Sequence, residues 1–199
     1  MDRNMTSKPG NFFARHRITV SQLVVWSLLA VIACTGSAWE PSPPIDGIIF
    51  FSGCVLIGFA TIGRLWCSLY ICGRKGRELV TSGPYSLCRN PLYLFSAIGT
   101  VGVGLVTETI TIPVFFMLMF AVLYPFVIRA EEATLKALYG EAFVAYASST
   151  SRFIPRFTGF REPENYEVAP VNFRRAMFDA LCFVWIIGIL ELAEALREA

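Results

Sequence analysis

Residues 92–128 read LYLFSAIGTVGVGLVTETITIPVFFMLMFAVLYPFVI. Two apolar runs, Leu92 to Val106 and Ile112 to Ile128, flank the polar triplet Thr107-Glu108-Thr109. A helix needs about 20 apolar residues to cross a bilayer, so the first run is short for a span. The pair therefore reads as a hairpin that enters the membrane, turns and returns. Gly99, Gly102 and Gly104 imitate a nucleotide-binding glycine pattern, but no strand precedes them. In an apolar hairpin they serve close helix packing.

Further apolar runs lie on both sides, from Ile18 to Trp39, Ile45 to Tyr70 and Ala176 to Leu192. The 199 residues are 55% hydrophobic and only 16% charged, with a mean hydropathy of +0.56. A soluble domain carries about a quarter charged residues. These numbers predict an all-α protein: a polytopic transmembrane helical bundle of about five membrane segments. One integral membrane domain, 1–199, is expected, with its chemistry in 77–155 and an extra C-terminal span at 176–192. Pro41, Pro43 and Pro44 separate the first two spans, because proline lacks a donor and clashes with the preceding turn. The run from Ile18 is too long for a signal-peptide core and no small-x-small site follows it, so it reads as a span.

Basic residues favour cytoplasmic loops. With alternating spans, every one of the 17 Lys and Arg residues except Arg197 falls on the amino-terminal side of the membrane. The opposite loops hold only Glu40, Asp46 and Glu108 as charged residues. The expected location is thus multi-pass, with the amino terminus and the polar segments 71–91 and 129–175 in the cytoplasm. A net charge of +2 gives no field for nucleic acid. His16 is the single histidine, and the six cysteines form no CxxC pair, so neither a metal site nor a disulfide framework is expected.

The hairpin brings two unusual segments to one face. The first runs Arg77-Glu78-Leu79-Val80-Thr81-Ser82-Gly83-Pro84-Tyr85, then Arg89-Asn90-Pro91-Leu92-Tyr93. The second holds Arg129-Ala130-Glu131-Glu132, followed by Gly140-Glu141-Ala142-Phe143 and Tyr146. Pro91 and Arg129 leave the membrane on the same side, so arginine, asparagine, tyrosine and carboxylate groups can converge on one interfacial pocket.

The order LVxxGPYxxxRNPxY, short apolar hairpin, EE, YGExF resembles the isoprenylcysteine carboxyl methyltransferase and phospholipid methyltransferase superfamily over about Arg77 to Pro155. The resemblance implies S-adenosylmethionine as cofactor, in a pocket at the cytoplasmic face of the bundle. It implies that the segment of Glu78, Leu79, Val80 and Tyr85 wraps it, largely through backbone groups, that Asn90, Pro91 and Tyr93 line it, and that Glu131 and Glu132 hold its polar end. A sulfonium, an ammonium and ribose hydroxyls suit carboxylates and tyrosine rings. Asn90 stands where the isoprenylcysteine enzymes usually show His, and the phospholipid enzymes often have Asn. Val127 stands at the family's usual acceptor-steadying arginine, and Arg77 where many members carry His.

The resemblance implies methyl transfer to a lipid or prenylated small-molecule acceptor, foremost carboxyl O-methylation of an isoprenylcysteine-like substrate. Arg89 or Arg129 would neutralise the acceptor carboxylate; for an amine acceptor, Glu131 or Tyr93 would take the proton. Phospholipid or amine N-methylation is the alternative of the same architecture, and a non-enzymatic membrane adaptor or small transporter that of another class. Each residue also has a plainer reading. Arg89 and Arg129 can answer anionic lipid heads, Glu131 and Glu132 can be a solvated helix face, and Tyr85 and Tyr93 can belong to the aromatic belt.

Overall fold

The computed structural model describes residues 43–198, and the expected first span, Ile18 to Trp39, lies outside them. The described residues fall within one compact unit, and they form helices and loops without a strand. Helix α1, Pro43–Ile71, is one of two among the described residues long enough and apolar enough to cross a membrane. Its 29 residues span about 43 Å at 1.5 Å per residue. The side chains that α1 presents outward are large and apolar, with Ile48, Phe51, Val55, Phe59 and Ile62 all more than half exposed. Its buried positions include Gly53, Ile57, Ala60, Gly63 and Cys67. Large apolar side chains outward and mostly small residues inward are the pattern of a helix that faces lipid.

Helix α2, Pro84–Leu87, is a single buried turn inside the motif segment. Helix α3, Pro91–Val106, has 16 residues, about 24 Å, and is short as expected. It packs most extensively on α1. Glycines set the approach: a Cβ built on Gly102 would lie 2.9 Å from the Gly53 carbonyl oxygen, and one built on Gly53 would lie 2.8 Å from that of Gly102. The hairpin turns at Thr107–Ile110, where Glu108 takes φ +55°, a left-handed conformation uncommon in residues with a Cβ.

Helix α4 is Thr111–Tyr139. The apolar run from Ile112 and the polar stretch from Arg129 are a single helix of 29 residues, the second of membrane-crossing length. Polar composition marks where this helix leaves the apolar layer, not where it ends. It stops at Gly140, whose φ of +53° favours glycine, and α5, Glu141–Ser149, follows at a new angle to the chain. Helix α6, Pro170–Ala180, and helix α7, Cys182–Glu198, replace the expected continuous run from Ala176 to Leu192. The break is at Leu181, and α6 carries Arg174 and Arg175 where an apolar span could not.

Segment 150–169 straps the polar end of the bundle. The Gly83 amide donates to the Arg161 carbonyl at 2.7 Å and the Arg156 amide to the Leu87 carbonyl at 3.0 Å. The Tyr166 hydroxyl donates to the Tyr70 carbonyl at 2.7 Å and the Tyr70 hydroxyl to Glu162 at 2.6 Å.

Candidate functional site

The site is built where the end of α4 meets the start of α3. Residues 124, 128, 131 and 132 of α4 share one helix face, because positions three and four apart are neighbours. Ile128 on that face is buried, and the next turn delivers Glu131 and Glu132 beside α3. The Tyr93 hydroxyl donates to Glu131 Oε2 at 2.6 Å, and Lys75 Nζ lies 3.9 Å from Glu131 Oε1. Glu132 is held between two guanidinium groups. Arg89 Nε lies 3.1 Å from its Oε1, while Arg152 donates through Nε at 3.2 Å and Nη2 at 2.8 Å. The Arg89 and Glu132 side chains are only 12% and 13% exposed, so removing either would strand the other's charge out of water.

Backbone contacts fix the arginines. Arg89 Nη1 donates to the Ala147 carbonyl at 2.6 Å, and its amide to the Ser151 carbonyl at 2.8 Å. Asn90 is buried and donates through Nδ2 to the Arg152 carbonyl at 3.0 Å. Asn90 thus orients the residue that clamps Glu132. Pro91 begins α3 and is buried.

The motif segment runs alongside. Glu78 is exposed and paired with Arg74, and the Arg74 guanidinium lies over the Tyr166 ring, 4.0 Å from its centre. Leu79 and Val80 are half-buried, and Val80 packs against the cluster of Cys67, Tyr70, Tyr85 and Phe95. Tyr85 is buried, and its hydroxyl has no described hydrogen-bond partner. Burial pushes that phenol well above its ordinary pKa, with Cys67 and then Glu131 among the further causes. The hydroxyl therefore keeps its proton and can donate a hydrogen bond, close enough to Glu131 to feel its charge. The Tyr146 hydroxyl donates to the Tyr85 carbonyl at 2.6 Å. Burial also pushes the Cys88 thiol up to about 11, against the pull of the Asn90 backbone.

Arg129 stands apart. It is exposed, shares its helix face with the exposed Val122 and Phe126, and pairs with no described side chain. The structure brings Arg89, Asn90, Tyr93, Glu131 and Glu132 together and leaves Arg129 on the outer face.

Arg152, Lys75 and Tyr124 were not singled out from the sequence. Arg152 lies 20 residues beyond Glu132 in a loop with no recognisable spacing. Tyr124, seven residues before Glu131 on α4, was legible from helical periodicity; its ring meets that of Tyr93 at 5.3 Å and stacks on Phe120 at 3.4 Å.

Beside this polar cluster lies an apolar cavity of about 600 Å³ between α1, α3 and α4, lined in part by Leu56, Ala97, Val101, Phe120 and Tyr124. Pro125 also lines it and has no amide hydrogen, so the Ala121 carbonyl on the same wall lacks its usual helical donor. Arg152 and Phe153 border the cavity too. Arg152 therefore touches both the apolar space and Glu132. Among the described residues no group of three or more His, Cys, Asp or Glu side chains could hold a metal ion.

The model of the phospholipid methyltransferase family matches residues 48–142, which run from α1 through the hairpin and the acidic pair. The nickel-cobalt-cadmium resistance protein NccN of Alcaligenes xylosoxydans xylosoxydans is 40% identical over 189 residues, 95% of this chain and 88% of that protein. The cobalt-zinc-cadmium resistance protein CzcN of Cupriavidus metallidurans is 40% identical over 185 residues, 93% of this chain and 83% of that protein. No solved structure matches the chain significantly. The chain belongs to the phospholipid methyltransferase family, within the isoprenylcysteine carboxyl methyltransferase-like superfamily.

Proposed function

We propose that this protein is an integral membrane methyltransferase that uses S-adenosylmethionine to methylate the polar head of a lipid-like acceptor at the cytoplasmic face. The observation that carries the reading is the position of Arg152, shared by the apolar cavity and the carboxylate pair. An acceptor's apolar body fits the cavity, and its head then lies beside the polar cluster. The family match supports methyl transfer, and the one-sided basic residues support five spans with the site in the cytoplasm.

The residues present fit the cofactor. Glu131 and Glu132 supply two adjacent carboxylates, and the Tyr85 hydroxyl is a buried donor lacking a described partner. Glu131, Glu132, Tyr85, Asn90, Pro91, Tyr93 and the segment from Glu78 to Val80 would hold it. When bound, S-adenosylmethionine supplies an electrophilic methyl group on a sulfonium.

For the acceptor, the favoured head is a carboxylate, as in an isoprenylcysteine-like molecule. It is already ionised near neutral pH and needs no base. Glu132 occupies two of Arg152's five donors, and the side chain is 51% exposed, so donors remain to orient a second carboxylate. A specific observation favours an amine acceptor as the second reading. The Tyr93–Glu131 hydrogen bond joins a hydroxyl to a carboxylate at the cavity's polar end, where an attacking ammonium must lose a proton. Resistance to metal ions, in the relatives' names, is then the process that this methylation serves.

The test is incubation of purified protein with methyl-labelled S-adenosylmethionine and a panel of prenylated carboxylates and aminolipids. Base-labile label on the carboxylates is expected. Base-stable label on an aminolipid would replace the first reading by the second.

A further inference from the structure

Arg64 lies on α1, seven residues before its polar end, about 10 Å into the helix. Its side chain is half-buried. Nη1 donates to the Ser96 hydroxyl on α3, which itself donates to the Leu92 carbonyl at 2.8 Å. The guanidinium carbon lies 5.4 Å from the centre of the Phe183 ring on α7, while Nε is buried and without a hydrogen-bond partner. No described carboxylate forms an ion pair with it. Arg64 and Asp179 of α6 both act on the Cys182 thiol.

A buried guanidinium nitrogen without a partner carries a desolvation cost that an anion beside it would offset. Below it runs an apolar seam. Ile186, Ile187 and Leu190 of α7 pack there with Phe50 and Cys54 of α1 against Ile57 and Val103. The seam lies on the side of α3 away from the cavity, since Gly99 faces Phe183 whereas Ala97 and Val101 face the cavity.

We infer that Arg64, Ser96 and the Phe183 edge of α7 form a binding site for the oxyanion of an anionic membrane lipid, whose acyl chain follows the α1–α7 seam. The chemistry that recognises it is a phosphodiester on an apolar tail. This site is separate from the proposed methyl-transfer pocket and does not depend on its identity.

The experiment titrates the delipidated full-length protein, in neutral micelles, with phosphatidylglycerol, phosphatidylcholine or inorganic phosphate, reading bound lipid and thermal unfolding. Phosphatidylglycerol should bind saturably and raise the unfolding temperature, and phosphatidylcholine and inorganic phosphate should do neither. Arg64→Gln should weaken phosphatidylglycerol binding about tenfold or more, as expected for loss of a charge-assisted hydrogen bond. Equal effects of the charged and zwitterionic lipids on the wild type would overturn the proposal without any variant. So would wild-type affinity in folded Arg64→Gln, or inorganic phosphate competing on equal terms.

Discussion

Helix α3 has one closed face and one open face. Toward α1 it is sealed by glycines, with backbone atoms of the two helices close enough that a Cβ at Gly53 or Gly102 would collide. Toward α4 the contact is tight only near the turn, where a Cβ on Gly104 would lie 2.7 Å from the Pro113 nitrogen. Nearer the polar end the same two helices part around about 600 Å³ of apolar space. Small residues draw helices together in lipid, where burial of apolar surface gives no drive. Where α3 carries Ala97, Ile98 and Val101, the partner's Phe120 and Tyr124 stand off and leave room for a guest. The closed face holds the bundle; the open one has room for an acceptor.

The largest expected effect follows from the closed face. Gly102→Val places branched bulk where one Cβ already meets Gly53 and Ile57 at 2.9 Å. Neither the backbone nor a well-packed seam can give, so a loss of about 3 kcal/mol is expected. Thermal unfolding in detergent checks it, and a wild-type midpoint would break the contrast between the two faces.

The closed region continues to Cys88, fully buried beside the site. Its pKa rises from 9.0 to about 11 on folding, chiefly by burial. A group with a raised folded pKa contributes fully below the unfolded value and loses its contribution as pH climbs through the folded one. The Cys88 contribution should therefore fall by about 2–3 kcal/mol between pH 9 and 11. Cys88→Ala should remove that share of the slope and leave the share that Tyr85 adds above pH 10, which denaturant unfolding of both proteins across the range measures.

On the open face, Ala97→Phe should be tolerated in the fold, because the added ring enters the cavity. Turnover of a long-chain acceptor should drop about tenfold, equivalent to about 1.4 kcal/mol, with cofactor affinity unchanged. Equal turnover would separate the cavity from the acceptor. The smallest effect is expected from Tyr85→Phe. Removing a buried donor that has no described partner should leave stability within about 0.5 kcal/mol. Cofactor affinity should fall by about 0.5–1.5 kcal/mol, read by calorimetry.

Much of this layout was legible in the sequence, for identifiable reasons. Apolar run length gave the hairpin, and the hairpin put Tyr93 and Glu131 at one end because an entering and a returning helix must share it. Polarity marked where α4 leaves its apolar run, after Ile128, and not where the helix ends, which is at Tyr139. Arg152 was invisible, since a loop residue is brought to Glu132 by the strap's hydrogen bonds and not by any period. Arg129 appeared equivalent to Arg89 by composition, yet one position of helical phase, about 100°, turns it to the outer face.

The most direct measurement is calorimetric titration of S-adenosylmethionine into purified wild type, Glu131→Ala and Glu132→Ala, each shown folded, followed by labelled methyl transfer to the lipid panel. The central claim is that the paired carboxylates beside the apolar cavity hold the cofactor. Wild type should bind and transfer, and each variant should lose about 1.5–3 kcal/mol of binding, roughly 10- to 150-fold. Wild-type affinity in both variants, or no binding by the wild type, would contradict it.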